Sequence, residues 1–181
     1  MPLSDEYLQD LKSLHSKKSF GQGGKIPKVV EELIKENNVQ SILDYGCGKG
    51  NTTISLKEAY PDIKIYSYDP ATSPIELPAH VDLIISLDVL EHIEPDYLSE
   101  TLTDLKERST MMYHLIACHP AKKRLPDGRN AHLIIEDPQW WETKLKEVGI
   151  EIMSEEIVRY TSKQRKKGSP IDVVKYHVVT K

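Results

Sequence analysis

The segment SILDYGCGKGNTT at residues 41–53 constrains the fold of this chain more than any other feature. A short apolar run enters Gly46, Gly48 and Gly50, and a helix-compatible stretch follows them. Glycine lets the backbone turn sharply and lets a ligand lie against it with no side chain in between. In an open α/β sheet, ligands bind at the carboxyl ends of the strands. The segment therefore predicts a strand, a ligand-binding loop and a helix.

The rest of the chain alternates between predicted strands and predicted helices. Apolar runs predict strands at 63–69, 81–87 and 111–118, with helix-like apolar spacing between them. This alternation is typical of an α/β fold, here a Rossmann-like doubly wound sheet that is mostly parallel. Two last strands, near 150–160 and 171–180, flank a basic turn and predict a C-terminal antiparallel hairpin.

The length of 181 residues predicts a single domain covering 1–181. Within it, residues 1–38 are expected to form an N-terminal helical cap and residues 39–181 the Rossmann-like core. Ser4 is a suitable N-cap for a first helix, and its apolar stripe contains Tyr7, Leu11 and Leu14. We expect this helix to lie over the edge where the strands end.

Composition and charge restrict the partners and the cellular location that we expect for this protein. The net charge of −4 gives no overall basic field for nucleic acid. The two cysteines have no partner at metal-like spacing and form no disulfide framework, which predicts a reducing, cytoplasmic location and no metal centre. No apolar run approaches the roughly 18 residues of a membrane span, and the polar, acidic N-terminus does not resemble a signal peptide. We expect a mature cytoplasmic chain without a membrane partner; its oligomeric state is unknown.

Two carboxylates indicate the kind of ligand. The glycine spacing is G-x-G-x-G, whereas a dinucleotide site needs G-x-G-x-x-G facing a pyrophosphate. Asp44 stands just before the first glycine, where it would repel a pyrophosphate but suits an ammonium group, such as that of S-adenosylmethionine (SAM). Asp69 ends the second predicted strand, where a carboxylate can accept hydrogen bonds from both ribose hydroxyls.

At this point a family resemblance can be stated. LDYGCGKG resembles motif I of the class I SAM-dependent methyltransferases, and YDPA at 68–71 resembles their second motif. VDLIISLDVLEHIEP at 81–95 resembles their fourth-strand segment. The stretch 131–152 is similar to the late segment of a subgroup that methylates small molecules and lipid-like quinone precursors. Together these motifs cover roughly residues 40–152.

The resemblance implies SAM as the cofactor and S-adenosylhomocysteine (SAH) as the product. It also implies that Asp44 faces the ammonium, that Asp69 holds the ribose and that the glycine loop lies beneath the ligand. Leu87 and Asp88 then stand beside the sulfonium. The full set of implied cofactor-binding residues is Asp44, Gly46, Cys47, Gly48, Gly50, Asp69, Pro70, Leu87 and Asp88.

The chain departs from the family pattern after its second strand. Only 12 residues separate Asp69 from Asp82, where most members of the family fit a helix and a third strand. The interval contains Ser73-Pro74 and Pro78, which favour turns. We therefore expect the third strand to be shortened or missing.

Three histidines are candidates for catalysis. Methyl transfer from SAM requires alignment of the reacting groups, and a base only where the acceptor carries a proton. His92, His119 and His132 each follow a predicted strand end or lie on a loop over the cleft, and histidine accepts protons near neutral pH. The alternative is that each caps or packs. The other four histidines are expected to be structural or exposed: His15, His80, His114 and His177.

Candidates for acceptor binding lie on two loops. Phe20 and Lys25 belong to the FGQGGK loop, which either closes over the cleft or simply connects two helices. Lys122, Lys123 and Arg124 either bind an anionic acceptor or form a solvated surface.

The sequence thus predicts a SAM-dependent methyltransferase acting on a small polar acceptor. Two alternatives remain open at this stage. One is a nucleic-acid methyltransferase, although the chain lacks the D/N-P-P-[YFW] signature of many such enzymes. The other is a SAM-binding protein that transfers no methyl group, with a SAM-degrading or regulatory role.

Overall fold

The computed structural model describes residues 2–16, 20–21, 23–162 and 171–181. Its strands are β1 Ser41–Tyr45, β2 Lys64–Tyr68, β3 Leu83–Leu87, β4 Met112–Ala117, β5 Ile152–Ser162 and β6 Ile171–Thr180. Its α-helices are α1 Asp5–His15, α2 Lys28–Glu36, α3 Asn51–Ala59, α4 Leu98–Arg108 and α5 Pro138–Glu147. Two short 3₁₀ turns, Leu90–His92 and Pro95–Tyr97, precede α4. Within the described ranges, no helix is long and apolar enough to cross a membrane.

The six strands form one sheet in the order β2-β1-β3-β4-β6-β5. Strands β1 to β4 pair in parallel, whereas β6 runs antiparallel to both β4 and β5. This confirms the predicted mostly parallel, Rossmann-like sheet with a C-terminal antiparallel hairpin. The basic turn predicted between the last two strands, at residues 163–170, lies outside the described residues.

Helices cover both faces of the sheet. In β3, Ile84 packs into the core with α4 and α5, while Leu83 and Ile85 pack into the core with α2 and α3. Successive side chains of a strand point to opposite faces, so a central strand with a layer on each face needs an unbroken apolar run. This is why the sequence around β3 shows no alternation of polar and apolar residues.

The expected loss of the third strand is confirmed. Residues 70–82 contain neither a helix nor a strand. Instead the chain turns back after β2, where the amide and carbonyl of Asp69 pair with those of Ser73. Strand β2 therefore forms one edge of the sheet.

The first helix begins at the predicted cap. The hydroxyl oxygen of Ser4 accepts a hydrogen bond from the amide of Tyr7 at 3.2 Å. The amide and the hydroxyl of Ser4 both donate to the carboxylate of Glu94, each at 2.8 Å. The hydroxyl of Tyr7 donates to the carbonyl of His92. These bonds tie the start of α1 to the segment that follows β3.

The apolar stripe of α1 docks on a distant loop. Tyr7, Leu11 and Leu14 are buried and pack with Leu125 and Ala131. Because that loop follows the carboxyl end of β4, α1 lies over the edge where the strands end, as the sequence predicts.

Tyr7→Phe tests how firmly α1 is anchored. The substitution leaves the carbonyl of His92 without its donor in a buried place, so we expect a loss of about 1–2 kcal/mol in the free energy of unfolding. Urea denaturation measures it. Tyr160→Phe, at an exposed position, is the control and should change the midpoint little; an equal effect of both variants would contradict the anchoring.

Candidate cofactor and acceptor site

A cleft of about 650 Å³ opens at the carboxyl ends of the parallel strands. Its volume lies within the usual range for small-molecule sites, about 300–1,000 Å³. Most residues that the sequence assigns to cofactor binding line it, together with two assigned to the acceptor and one of the histidines: Asp44, Gly46, Cys47, Gly48, Asp69, Pro70, Leu87, Asp88, Phe20, Lys25 and His92.

The glycine loop is held by close backbone contacts. The amides of Gly46 and Cys47 donate to the carbonyl of Tyr68 at 2.7 and 3.0 Å, which folds the loop onto the end of β2. Gly46 and Gly48 have positive φ angles of 74° and 54°. A β-carbon on Gly46 would lie 2.5 Å from the side chain of Val89. The loop therefore needs glycine here for its own packing as well as for a ligand.

Gly48 and Gly50 have different surroundings despite similar backbone angles. A β-carbon on Gly48 would lie 2.9 Å from the carbonyl oxygen of Gly21, whereas one on Gly50 would meet nothing within 4 Å. Gly50 is the N-cap of α3, with φ 74°, and it is not among the residues that line the cleft. Gly50 thus serves the turn into the helix, and its contact with the cofactor stays a prediction.

Asp44 is a buried carboxylate in the wall of the cleft. The hydroxyl of Thr53 donates to its Oδ2 at 2.6 Å. Burial raises the pKa of Asp44 to about 6, and the hydrogen bonds from Thr53 only partly oppose this. A carboxylate that has lost its water but keeps free lone pairs suits a bound ammonium group.

Asp69 is held in place by backbone amides. Its Oδ1 accepts hydrogen bonds from Ala71 and Thr72 at 2.9 and 3.0 Å, and its Oδ2 accepts one from Gly48 at 3.2 Å. The imidazole Nε2 of His15 lies 3.8 Å from the same Oδ2. Asp69 is thus fixed beside the glycine loop, with His15 next to the carboxylate that we expect to bind the ribose.

His15, which the sequence predicts to be structural or exposed, lines the cleft. Burial lowers its pKa, and the charge of Asp69 opposes that shift. Its ring packs edge-on against Phe20, with ring centroids 4.8 Å apart. The helical pattern of α1 could have indicated this position, because His15 follows Tyr7 and Leu11 at four-residue intervals and therefore shares their face of the helix. All three residues line the cleft.

The segment after α1 rests on the glycine loop. The amide of Lys49 donates to the carbonyl of Gly21 at 3.0 Å, and the hydroxyl of Ser55 donates to the carbonyl of Gly24 at 2.7 Å. Together with Phe20 these contacts place the described part of the FGQGGK loop over the cleft, although Gln22 lies outside the described residues.

A second cleft of about 260 Å³ adjoins the first and shares Phe20, Asp88 and His92 with it. It is lined by most of the remaining acceptor-side candidates: His119, Lys122, Lys123 and His132. Arg124 lines neither cleft. Its guanidinium is exposed and donates to the carbonyl of Gly128 at 2.8 Å, so its predicted role in acceptor binding lacks a geometric basis.

The three candidate histidines lie together. Ring centroids are 4.8 Å apart for His92 and His132, and 5.6 Å apart for His119 and His132. Burial and, to a smaller extent, the neighbouring His132 lower the pKa of His92 to about 4. Burial also lowers the pKa of His132. His92 is therefore a weak proton acceptor near neutral pH.

Solved structures resemble this fold at low sequence identity, and no curated protein matches the sequence. The magnesium protoporphyrin IX methyltransferase of Synechocystis PCC 6803, solved with bound SAM, is 16% identical; the alignment covers 98% of this chain and 99% of that one, with a TM-score of 0.59. The 1,6-didemethyltoxoflavin-N1-methyltransferase of Burkholderia thailandensis, solved with its substrate and SAH, is also 16% identical; the coverage is 98% and 92%, with a TM-score of 0.56.

The sequence itself identifies the family. A family profile described as a methyltransferase domain matches residues 19–155, which is most of the chain. The matched stretch contains the glycine loop, the carboxylates of Asp44 and Asp69, and the three candidate histidines. This protein therefore belongs to the methyltransferase domain family, and its fold resembles that of methyltransferases solved with SAM or SAH.

Proposed function

We propose that this protein transfers a methyl group from SAM to a small polar acceptor. The observation that carries the proposal is the buried carboxylate of Asp44, which lines the cleft beside a glycine loop of G-x-G-x-G spacing. Two structural relatives support it, because one was solved with SAM and the other with SAH and a small heterocyclic substrate.

The residues of the larger cleft fit SAM by their chemistry. When bound, SAM supplies a methyl group on a sulfonium, and both electrons of the broken carbon–sulfur bond stay on sulfur to give SAH. Asp44 binds the ammonium of its methionine part, and Asp69 accepts hydrogen bonds from the ribose hydroxyls. His15 and Phe20 cover this end of the cleft and exclude water from it.

The acceptor lies in the second cleft, next to Asp88 and His92. His119 is the proton acceptor in this proposal. Its Nδ1 lies 3.0 Å from the carbonyl of Val174, so Nδ1 carries the proton and Nε2 is free to accept one from the acceptor. Lys122 and Lys123 line the same cleft and favour an acceptor that carries a negative group.

A transfer assay with labelled SAM tests the function. The protein is incubated with fractionated cell extract, and both SAH and labelled product are measured. We expect label in a small-molecule fraction, and His119→Gln should lower turnover at least about tenfold with unchanged SAM affinity, because the interaction is made during transfer. Label in nucleic acid would favour a nucleic-acid methyltransferase, and loss of SAM without formation of SAH would favour a SAM-degrading enzyme. Either result would overturn the proposal.

Asp44→Asn separates cofactor binding from stability. We expect SAM affinity to fall by about 1.5–3 kcal/mol, while affinity for adenosine, which lacks the ammonium, changes little. The pKa of Asp44 is raised from 3.8 to about 6, so the stability of its neutral form is present at low pH and is lost as pH rises through about 6. At pH 8, where Asp44 is charged, the free energy of unfolding of Asp44→Asn should therefore be about 1–3 kcal/mol higher than that of the wild type.

The same shift predicts the pH dependence of binding. Below pH 6 Asp44 takes up a proton and no longer attracts the ammonium, so SAM affinity in the wild type should fall from pH 7.5 to 5. Calorimetry on Asp44→Asn is the control and should give a flatter profile. Parallel profiles would contradict the role of Asp44.

Gly48→Ala and Gly50→Ala form a matched pair. Both residues have positive φ, so each substitution should cost roughly 1 kcal/mol of stability. Only at Gly48 does the new β-carbon meet the backbone of Gly21. We expect Gly48→Ala alone to weaken SAH binding, by about tenfold or more as measured by calorimetry, because it displaces the segment over the cleft. Equal affinities in the two variants would refute this contact.

A further inference from the structure

Glu91, His92 and His132 form a compact cluster beside the two clefts; His92 lines both clefts and His132 lines the smaller one. One potential ligand atom from each residue lies within 4.8 Å of the others. Glu91 and His92 belong to the 3₁₀ turn after β3, and His132 comes from the loop that follows β4. The fold thus brings two imidazoles and a carboxylate together from distant parts of the sequence.

Hydrogen bonds orient both imidazoles in the same way. The Nδ1 of His92 lies 2.6 Å from the carbonyl oxygen of Ala131, and the Nδ1 of His132 lies 2.5 Å from that of His119. A carbonyl oxygen only accepts, so each Nδ1 carries the proton and each Nε2 keeps its lone pair. Histidines that bind metals are oriented in this way, with the second nitrogen donating to a carbonyl or carboxylate.

Glu91 adds a buried oxygen that has no partner. Its side chain is fully buried, and Oε1 accepts a hydrogen bond from the amide of Ala117 at 3.0 Å. Across the described residues, Oε2 has no hydrogen-bond partner. Burying a polar oxygen without a partner is unfavourable. A cation bound by the three residues would give Oε2 a partner.

We propose that Glu91, His92 and His132 bind one divalent first-row transition-metal ion. Two imidazoles and a carboxylate suit ions of the zinc, cobalt and iron group, and three protein ligands leave further coordination positions open. This departs from the sequence expectation of no metal centre, because the spacing of 91, 92 and 132 forms no recognisable ligand motif.

The position of the ion suggests its use. His92 lines both clefts, so an ion bound to it lies between the cofactor and the acceptor. An acceptor hydroxyl bound to such an ion loses its proton more readily, here to His119. The oxygen lone pair then forms the bond to the methyl carbon as the carbon–sulfur bond breaks toward sulfur. This use of the ion rests on the proposed function, whereas the metal site itself does not.

Cobalt binding tests the site without SAM or acceptor. Protein free of any affinity tag is stripped with a chelator and titrated with Co²⁺, and both calorimetry and visible absorption are recorded. We expect one Co²⁺ per chain with the absorption of imidazole-bound cobalt. Glu91→Gln and His132→Gln should each weaken binding by more than about 100-fold, since they remove direct ligands rather than outer partners.

His177→Gln is the matched control. His177 is bonded through Nδ1 to the hydroxyl of Tyr113 at 2.7 Å and lies outside the cluster, so this variant should bind Co²⁺ like the wild type. Cooperative thermal unfolding verifies that each variant is folded, and His132→Gln carries the test if Glu91→Gln does not fold. Absence of stoichiometric Co²⁺ in the wild type, or equal affinity in all variants, would overturn the proposal. Intact Co²⁺ binding without any methyl transfer would overturn the proposed function alone.

Discussion

Close backbone packing around the glycine loop is the constraint on which the site depends. Gly46 leaves just enough room for Val89 of the turn after β3, and Gly48 leaves room for Gly21 after α1. Neither contact tolerates a β-carbon without movement. The floor of the cofactor cleft, the turn that carries the acceptor-side groups and the segment over the cleft are thereby packed as one unit.

The fold was predictable because its signals are local. Apolar runs fixed the strands, and the short, proline-containing interval after Asp69 predicted the missing third strand. The place of His15 beside Asp69 was not predictable in the same way, because it depends on how α1 docks. The same holds for Glu91, whose residue type is visible in the sequence. Its burial, and an Oε2 that is unpartnered among the described residues, arise only when β4 packs beside its turn.

Several ionisable groups near the strand ends are buried, although their charged forms are better solvated in water. Burial is the largest cause of the raised pKa values of Asp44 and Glu91, and of the lowered pKa of His92. Each shift means that the folded protein disfavours the charged form of that group. Such groups lower stability unless a ligand offsets the cost, and their concentration at one end of the sheet is typical of functional sites.

The turn after β3 lines both the cofactor cleft and the acceptor cleft and sets the distance between them. Val89 packs against Gly46, Glu91 is bonded to the amide of Ala117, and His92 is bonded through its carbonyl to Tyr7. These contacts tie the turn to the cofactor loop, to β4 and to α1. Methyl transfer gains most of its rate from holding donor and acceptor in line, and a small displacement of either group is costly. A turn fixed on three sides, largely through the backbone, supplies that alignment before either ligand binds.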